Sequence, residues 1–242
     1  MQMTLGEGFL SFGGTEFLDK LFQGIPLQGK KILDVGCGLG GPARYLAEKY
    51  DVDIIGIDIE PDVIIQAQSI HAAASLKGKL SFSHVEKNDF PFKEASFDLI
   101  FGNVSWLHVE NKPFFFKKLY PLLKTGGYIL SSDWMHTTPY YSEDLQRFLS
   151  IDELNYFLTT QKDYEKALKD AGFEVLFSED VSEFMIKEFK IIYHDHFASL
   201  GEKIKKHYGE QVYYTILHSW LLQRLVFEKG ELQSCIVRAL KP

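Results

Sequence analysis

The stretch Lys31-Ile-Leu-Asp-Val-Gly-Cys-Gly-Leu-Gly-Gly41 constrains this chain more than any other. Ile32, Leu33 and Val35 form an apolar run that suits a parallel strand covered on both faces. Gly36 and Gly38 let the backbone turn sharply and approach a ligand where a Cβ would clash. Pro42 can open the helix that follows, Ala43 to Lys49. A buried strand that passes through an acid into a glycine-rich turn and a helix is a loop suited to a nucleotide-like cofactor.

The glycines alone leave two cofactors open. Gly36, Gly38 and Gly41 satisfy the dinucleotide pattern, and Asp58 ends the next apolar strand, Ile54 to Ile59, where a ribose-binding acid belongs. A nicotinamide or flavin dinucleotide needs helix amides for its pyrophosphate. S-adenosylmethionine has no phosphate, and its ammonium needs carboxylate or carbonyl partners. Asp34, just before the first glycine, favours the second cofactor.

Further along, Phe97-Asp-Leu-Ile-Phe-Gly-Asn-Val104 reads as a strand and Asn111 to Leu123 as a helix. Lys124-Thr-Gly-Gly reads as a turn and Tyr128 to Asp133 as the next strand. Near the N-terminus, Thr15 can cap a helix to Phe22 with Leu18, Leu21 and Phe22 on one face. Alternating strands and helices imply a parallel α/β sheet. The alternation breaks after Asp133: Met135 to Leu158 is aromatic and acidic without a strand pattern. Lys162 to Ala171 reads as a helix stopped by Gly172, and Phe173 to Ser178 as a strand. Ser182 to Tyr208 and Gln211 to Glu228 read as two long helices before a last strand, Leu232 to Leu240. One domain is expected, with a core at 30–134, 161–180 and 231–241. The segments 1–29, 135–160 and 181–230 are expected to form a lid over the carboxyl ends of the strands, where open α/β sheets bind ligands.

The 242 residues and 45% hydrophobic content suit one domain with a substantial core. No apolar stretch is long enough to span a bilayer, and the N-terminus lacks a signal-peptide layout, so no membrane insertion is expected. Cys37 and Cys235 make no disulfide framework, which points to a reduced, cytoplasmic setting. A formal net charge of −7 argues against nucleic acid as a partner and for a small-molecule acceptor. Cys37 reads as a small loop residue. His194 and His196 lie two apart, a spacing that separates them on a helix, so no metal is expected.

With Pro91-Phe92 ahead of Phe97-Asp98, the series from Lys31 to Trp134 resembles the class I S-adenosylmethionine-dependent methyltransferases; the last strand resembles them more loosely. The resemblance implies a doubly wound, seven-stranded, mostly parallel Rossmann-like sheet. Its last strand would be antiparallel, with a helical lid inserted between the last strands. It implies methyl transfer to a small-molecule amine nitrogen, or oxygen, releasing S-adenosylhomocysteine. Asp58 would then hold the ribose hydroxyls, Gly36 and Gly38 would run beneath the methionine part, and Ile59 would lie beside the adenine. Asp34 would fix the loop or reach the ammonium. Glu86 and the Lys87 amide would meet the adenine, with Asp89 as rival if the register slips, and Asn103 would meet the methionine end. The loop Asn103 to His108 follows the fourth strand and faces the methyl; His108 there is either a general base or a loop ligand. Phe9, Phe12, Trp106 and Trp134 can receive a cation on their rings. A binding module without turnover and a nicotinamide-dependent oxidoreductase are the competing readings.

Ser11-Phe-Gly-Gly14, the Trp106-Leu-His108 loop and the long late helices narrow the resemblance to the phosphoethanolamine and sarcosine/dimethylglycine N-methyltransferase group. In its phosphoethanolamine branch a tyrosine near the N-terminus pairs with a histidine that His108 matches; Phe9 stands in the tyrosine's place. Val104 replaces an aspartate and Leu154 an arginine, whereas Tyr156 matches a tyrosine. Without that anion clamp a phosphorylated substrate would be poorly paired. Ser11 and Tyr156 complete the expected acceptor site.

Overall fold

A computed structural model describes residues 5–151, 154–193 and 197–242. A seven-stranded sheet runs through the molecule in the order β3-β2-β1-β4-β5-β7-β6. Its strands are β1 (Lys31–Val35), β2 (Asp53–Asp58), β3 (Lys79–His84), β4 (Phe97–Asn103), β5 (Leu123–His136), β6 (Glu174–Asp180) and β7 (Leu232–Leu240). The pairs β1/β2, β2/β3, β1/β4 and β4/β5 are parallel. β7 lies antiparallel between β5 and β6. The chain therefore has the doubly wound, mostly parallel sheet with an antiparallel last strand.

Side-chain alternation along the central strands builds a core on each face. Ile32, Ile54, Leu99, Phe101, Leu130 and Ile236 face one layer, and Leu33, Ile57, Ile100, Ile129 and Val237 the other. Helices α1 (Gly14–Leu21), α2 (Gly41–Lys49) and α3 (Pro61–His71) precede α4 (Lys112–Leu119), α5 (Glu143–Ser150) and α6 (Gln161–Asp170). Then come α7 (Ser182–Ile191), α8 (Phe197–Tyr208) and α9 (Glu210–Glu228), and α9 packs against α5, α7 and α8.

Several expected boundaries move. Gly13, not Thr15, is the N-cap of α1; its φ is 97°, a region that favours glycine, and an added Cβ would meet Phe17 Cβ at 2.5 Å. The helix expected from Asn111 to Leu123 ends at Leu119 and tightens into a 3₁₀ turn, Tyr120–Leu122, because Pro121 has no N–H to continue it. Lys124 to Gly127 is a bulge inside β5: Phe97 pairs with Leu123 but Leu99 with Tyr128. β5 also continues past Asp133, since Ser234, Gln233 and Leu232 of β7 pair with Trp134, Met135 and His136. The long helix expected from Ser182 is two helices, α7 and α8; His194 and His196 lie outside the described residues.

Candidate active site

Chain order reverses between β1 and β4, so the loops after these two strands open a crevice at the carboxyl edge of the sheet. The glycine loop lines one side. Gly36 and Gly38 have φ of 77° and 52°. Gly36 and Cys37 both donate their N–H to the Ile57 carbonyl, at 2.8 and 3.0 Å, tying the loop to the end of β2. An added Cβ on Gly36 would meet Ser105 Cβ, in the opposite loop, at 2.7 Å.

Asp58 ends β2 beside this loop. Its Oδ2 accepts from the Gly38 N–H at 2.9 Å and its Oδ1 from the Glu60 N–H at 3.1 Å. Each carboxylate oxygen keeps a lone pair for another donor, such as a ribose hydroxyl. Asp34 is 1% exposed, and its Oδ2 has no hydrogen-bond partner among the described residues. Burial, and then the neighbouring Asp58 charge, push its carboxyl well above the usual range. An acid in that state has high affinity for a cation or donor that can reach it. The same burial and the charges of Asp34 and Asp58 push the Cys37 thiol up, leaving it inert.

Residues 8–11 lie over the loop. Gly8 O accepts from the Gly41 N–H at 3.0 Å, so a helix amide that a pyrophosphate would need is already taken. Leu10 sits over Gly38, within 3.0 Å of where a Cβ would stand, and the Phe9 ring lies against Gly41. Ser11 Oγ accepts from Asn103 Nδ2 at 2.9 Å, while Asn103 Oδ1 is buried without a partner among the described residues. Val104 follows at φ 53°, an uncommon conformation for a β-branched residue; its N–H donates to Ser132 O at 2.7 Å. Glu86 and Asp89 are both exposed near the end of β3, joined by a bond from the Asp89 N–H to Glu86 O of 2.9 Å.

The far wall is aromatic. His108 and Tyr156 lie 5.0 Å apart between ring centroids. Tyr156 stacks on Trp134 at 6.3 Å and 14°, and Phe148 and Phe227 pack against Trp134 at 5.8 and 6.0 Å. The loop bearing His108 is laced to the segment bearing Tyr156. His108 Nδ1 meets Asn155 O at 2.8 Å, and the Phe157 N–H donates to Leu107 O at 2.8 Å. Lys112, 3% exposed, donates from Nζ to Val109 O at 3.0 Å and Phe157 O at 2.6 Å. Asp133 is the nearby opposite charge; it is fully buried and accepts from the Trp134 N–H at 3.2 Å. Burial lifts the Asp133 carboxyl, and the Lys112 charge restrains it.

His108, Trp134 and Tyr156 thus meet on one wall, and Asp34, Gly36, Gly38, Asp58, Ser11 and Asn103 gather at the crevice. Trp106 does not line the acceptor site as expected. It is 2% exposed, its Nε1–H donates to Val35 O at 2.9 Å, and its ring packs on Phe115 and Phe116. The 3₁₀ turn Trp106–His108 swings the indole inward while leaving His108 half-buried at the wall. Phe9 and Phe12 also leave the aromatic wall: Phe9 lies at the cofactor loop, and Phe12 is buried against Phe189 and Trp220. Sequence reasoning missed Lys112 and Asp133. The available signal was a lysine in the first turn of a helix, where the helix dipole disfavours a cation that lacks a partner.

The family described as "Methyltransferase domain" matches residues 32–127. Phosphoethanolamine N-methyltransferase 3 of Arabidopsis thaliana is 32% identical over 231 residues, 95% of this chain and 46% of its own length. This chain therefore spans about half of that relative. The phosphoethanolamine N-methyltransferase of Plasmodium falciparum is 29% identical over 226 residues, 90% of this chain and 82% of its own length. Among solved structures, phosphoethanolamine N-methyltransferase 2 of Haemonchus contortus, in complex with S-adenosyl-L-methionine, has a TM-score of 0.90 at 20% identity. That match covers 100% of this chain and 56% of the other, and it speaks to fold alone. The chain therefore carries a class I S-adenosylmethionine-dependent methyltransferase domain and is similar to the phosphoethanolamine N-methyltransferases.

Proposed function

We propose that the protein transfers the methyl group of S-adenosylmethionine to the nitrogen of a small amine. The observation that carries this reading is the buried Asp34 carboxyl, its Oδ2 unpartnered among the described residues, beside a glycine loop whose helix amide is already occupied by Gly8 O. That arrangement suits an ammonium-bearing cofactor without phosphate. Asp34 and the Asn103 side chain would meet the methionine end and Asp58 the ribose. Ile59, 51% exposed, would cover the adenine, with Glu86 and the Lys87 amide, or Asp89, at its edge. When bound, the cofactor supplies an electrophilic methyl on a sulfonium.

The chain's own contribution is alignment and proton handling. Holding nucleophile and methyl in line can supply about 7–11 kcal/mol at the extreme. Trp134 and Tyr156 would orient a cationic amine through their ring faces. His108, oriented through Nδ1 by Asn155 O, would use Nε2 to take the proton that the amine must shed. The described residues of 5–29, 137–160 and 181–230 would close over this site as a lid that excludes water within a single domain; Met135 and His136, expected in that lid, belong to β5. Two free, buried cysteines support a cytoplasmic setting, and the net charge supports a small-molecule rather than a nucleic-acid partner. No helix of the described residues is long and apolar enough to cross a membrane.

The test is product mass spectrometry with purified protein, S-adenosylmethionine and a panel of small amines, alcohols and a protein lysine. Methylated amine with S-adenosylhomocysteine is the expected result. Turnover only of the protein lysine contradicts the reading. Tight cofactor binding with no turnover would favour a binding module, to which Phe9, lacking a hydroxyl, lends some support.

A further inference from the structure

The buried polar groups without a hydrogen-bond partner among the described residues include Asn103 Oδ1, Trp134 Nε1 and Gln223 Nε2. Leaving such groups unpaired in a core is costly, so a cluster of them at a crevice points to a ligand that satisfies them. Asn103 ends β4 on the face that also carries Phe101, and Trp134 lies on the β5 face that carries Leu130. Gln223 is 3% exposed on α9, on one helical face with Trp220 and Phe227. Trp220 touches Phe12 at 4.9 Å, and Phe227 touches Trp134 at 6.0 Å. Phe12 adjoins Ser11, the residue bonded to Asn103. Gln223 is therefore set between the N-terminal segment and the end of β5, on the same side of the sheet as the other two orphans.

The available donors there are neutral: an indole N–H and an amide NH₂. The cations of the described lid segments are directed elsewhere. Arg147 pairs with Glu143, Arg224 with Glu228, Lys205 with Glu202 and Lys229 with Asp144. Lys20 pairs with Glu179 and Lys190 with Glu228, the remaining described lid lysines are exposed, and Lys112 is held by the Val109 and Phe157 carbonyls. A phosphate dianion here would be desolvated without a counter-charge. An uncharged oxygen would satisfy the two donors without that cost.

Resting on the methyl-transfer reading, we propose that Trp134 Nε1–H and Gln223 Nε2–H hold a neutral oxygen at the end of the amine opposite its methylated nitrogen. The acceptor class is therefore an unphosphorylated amino alcohol.

The experiment compares steady-state methylation of 2-aminoethanol and its N-methyl forms with their phosphorylated counterparts and with glycine, using the full chain. The expected result is a kcat/KM for the free alcohols above that for both anionic series. Gln223→Met should raise the KM for the alcohol about tenfold, the loss of one hydrogen bond, while the Kd for S-adenosylhomocysteine stays within about twofold. Gln223→Lys should move preference toward the phosphorylated amine. Trp134→Phe is the second variant if Gln223→Met fails to fold, and it should raise the same KM. A phosphorylated or carboxylate amine preferred by the wild type, no turnover of the alcohols, or an unchanged KM in the variants that fold would overturn the proposal. If the wild type does not bind S-adenosylhomocysteine in calorimetry, the cofactor reading has failed; if it binds and the alcohols are refused, this proposal alone has failed.

Discussion

Replacing Lys112 by Met tests how the site is held together. Methionine keeps most of the apolar stem but removes the ammonium that bridges Val109 O and Phe157 O, at 3.0 and 2.6 Å. Hydrogen bonds to a charged group contribute about 1.5–3 kcal/mol each, so losing two removes about 3–6 kcal/mol. The independent expectation for removing one partner of a buried charge pair is about 3–5 kcal/mol. Protonation of Asp133, no longer restrained by Lys112, limits the loss by removing its buried charge. Taking about 4 kcal/mol, a chain of this size should lose about 8–16 °C in Tm. Differential scanning calorimetry at neutral pH reads this directly, and the double variant Lys112→Met/Asp133→Asn should recover part of the loss. A Lys112→Met Tm within about 2 °C of wild type, less than about 1 kcal/mol, would refute the account of how the loop and the Tyr156 segment are joined.

Asp34→Asn should abolish measurable cofactor binding by calorimetry yet raise stability at neutral pH. The folded carboxyl is raised by burial, so the wild type holds that proton more tightly folded than unfolded and loses stability as pH rises above the unfolded value of about 3.9. Urea titrations should accordingly show the gain from the Asp34→Asn substitution vanish in acid; a variant less stable at pH 7 would contradict this. Gly36→Ala should cost about 1–3 kcal/mol in chemical denaturation, because φ is 77° and the new Cβ would meet Ser105 at 2.7 Å. Wild-type stability there would mean the loop has room that the geometry denies. His108→Ala should lower kcat by about 10²–10⁴ with the Kd for S-adenosylhomocysteine kept; an unchanged kcat would leave His108 a ligand of Asn155 O only.

The glycine loop and the central strands were legible because each carries a local signature. Continuous apolar runs marked β1 and β4, and Leu232 to Leu240 matched β7 residue for residue. The far end of β5 was not legible, because Trp134 to His136 become strand only by pairing with β7, about 100 residues away. Trp106 was misplaced because nothing in Ser-Trp-Leu-His states which of two neighbouring side chains a 3₁₀ turn sends inward. Lys112 and Gln223 were missed since a lysine or glutamine on a helix is ordinarily read as surface. Both stand at positions where local rules fail, one at a helix start that disfavours cations and one in a buried aromatic face, and such conflicts tend to mark functional sites.

The central claim is that the crevice between β1 and β4 holds an ammonium-bearing cofactor without phosphate. Calorimetric titration of the wild type with S-adenosylmethionine, S-adenosylhomocysteine and NADH, beside Asp58→Ala, tests it most directly. Both sulfur compounds should bind and NADH should not, and Asp58→Ala should weaken binding about tenfold to a hundredfold through loss of hydrogen bonds to a charged group. Binding of NADH alone, or unaltered affinity in Asp58→Ala, would contradict it.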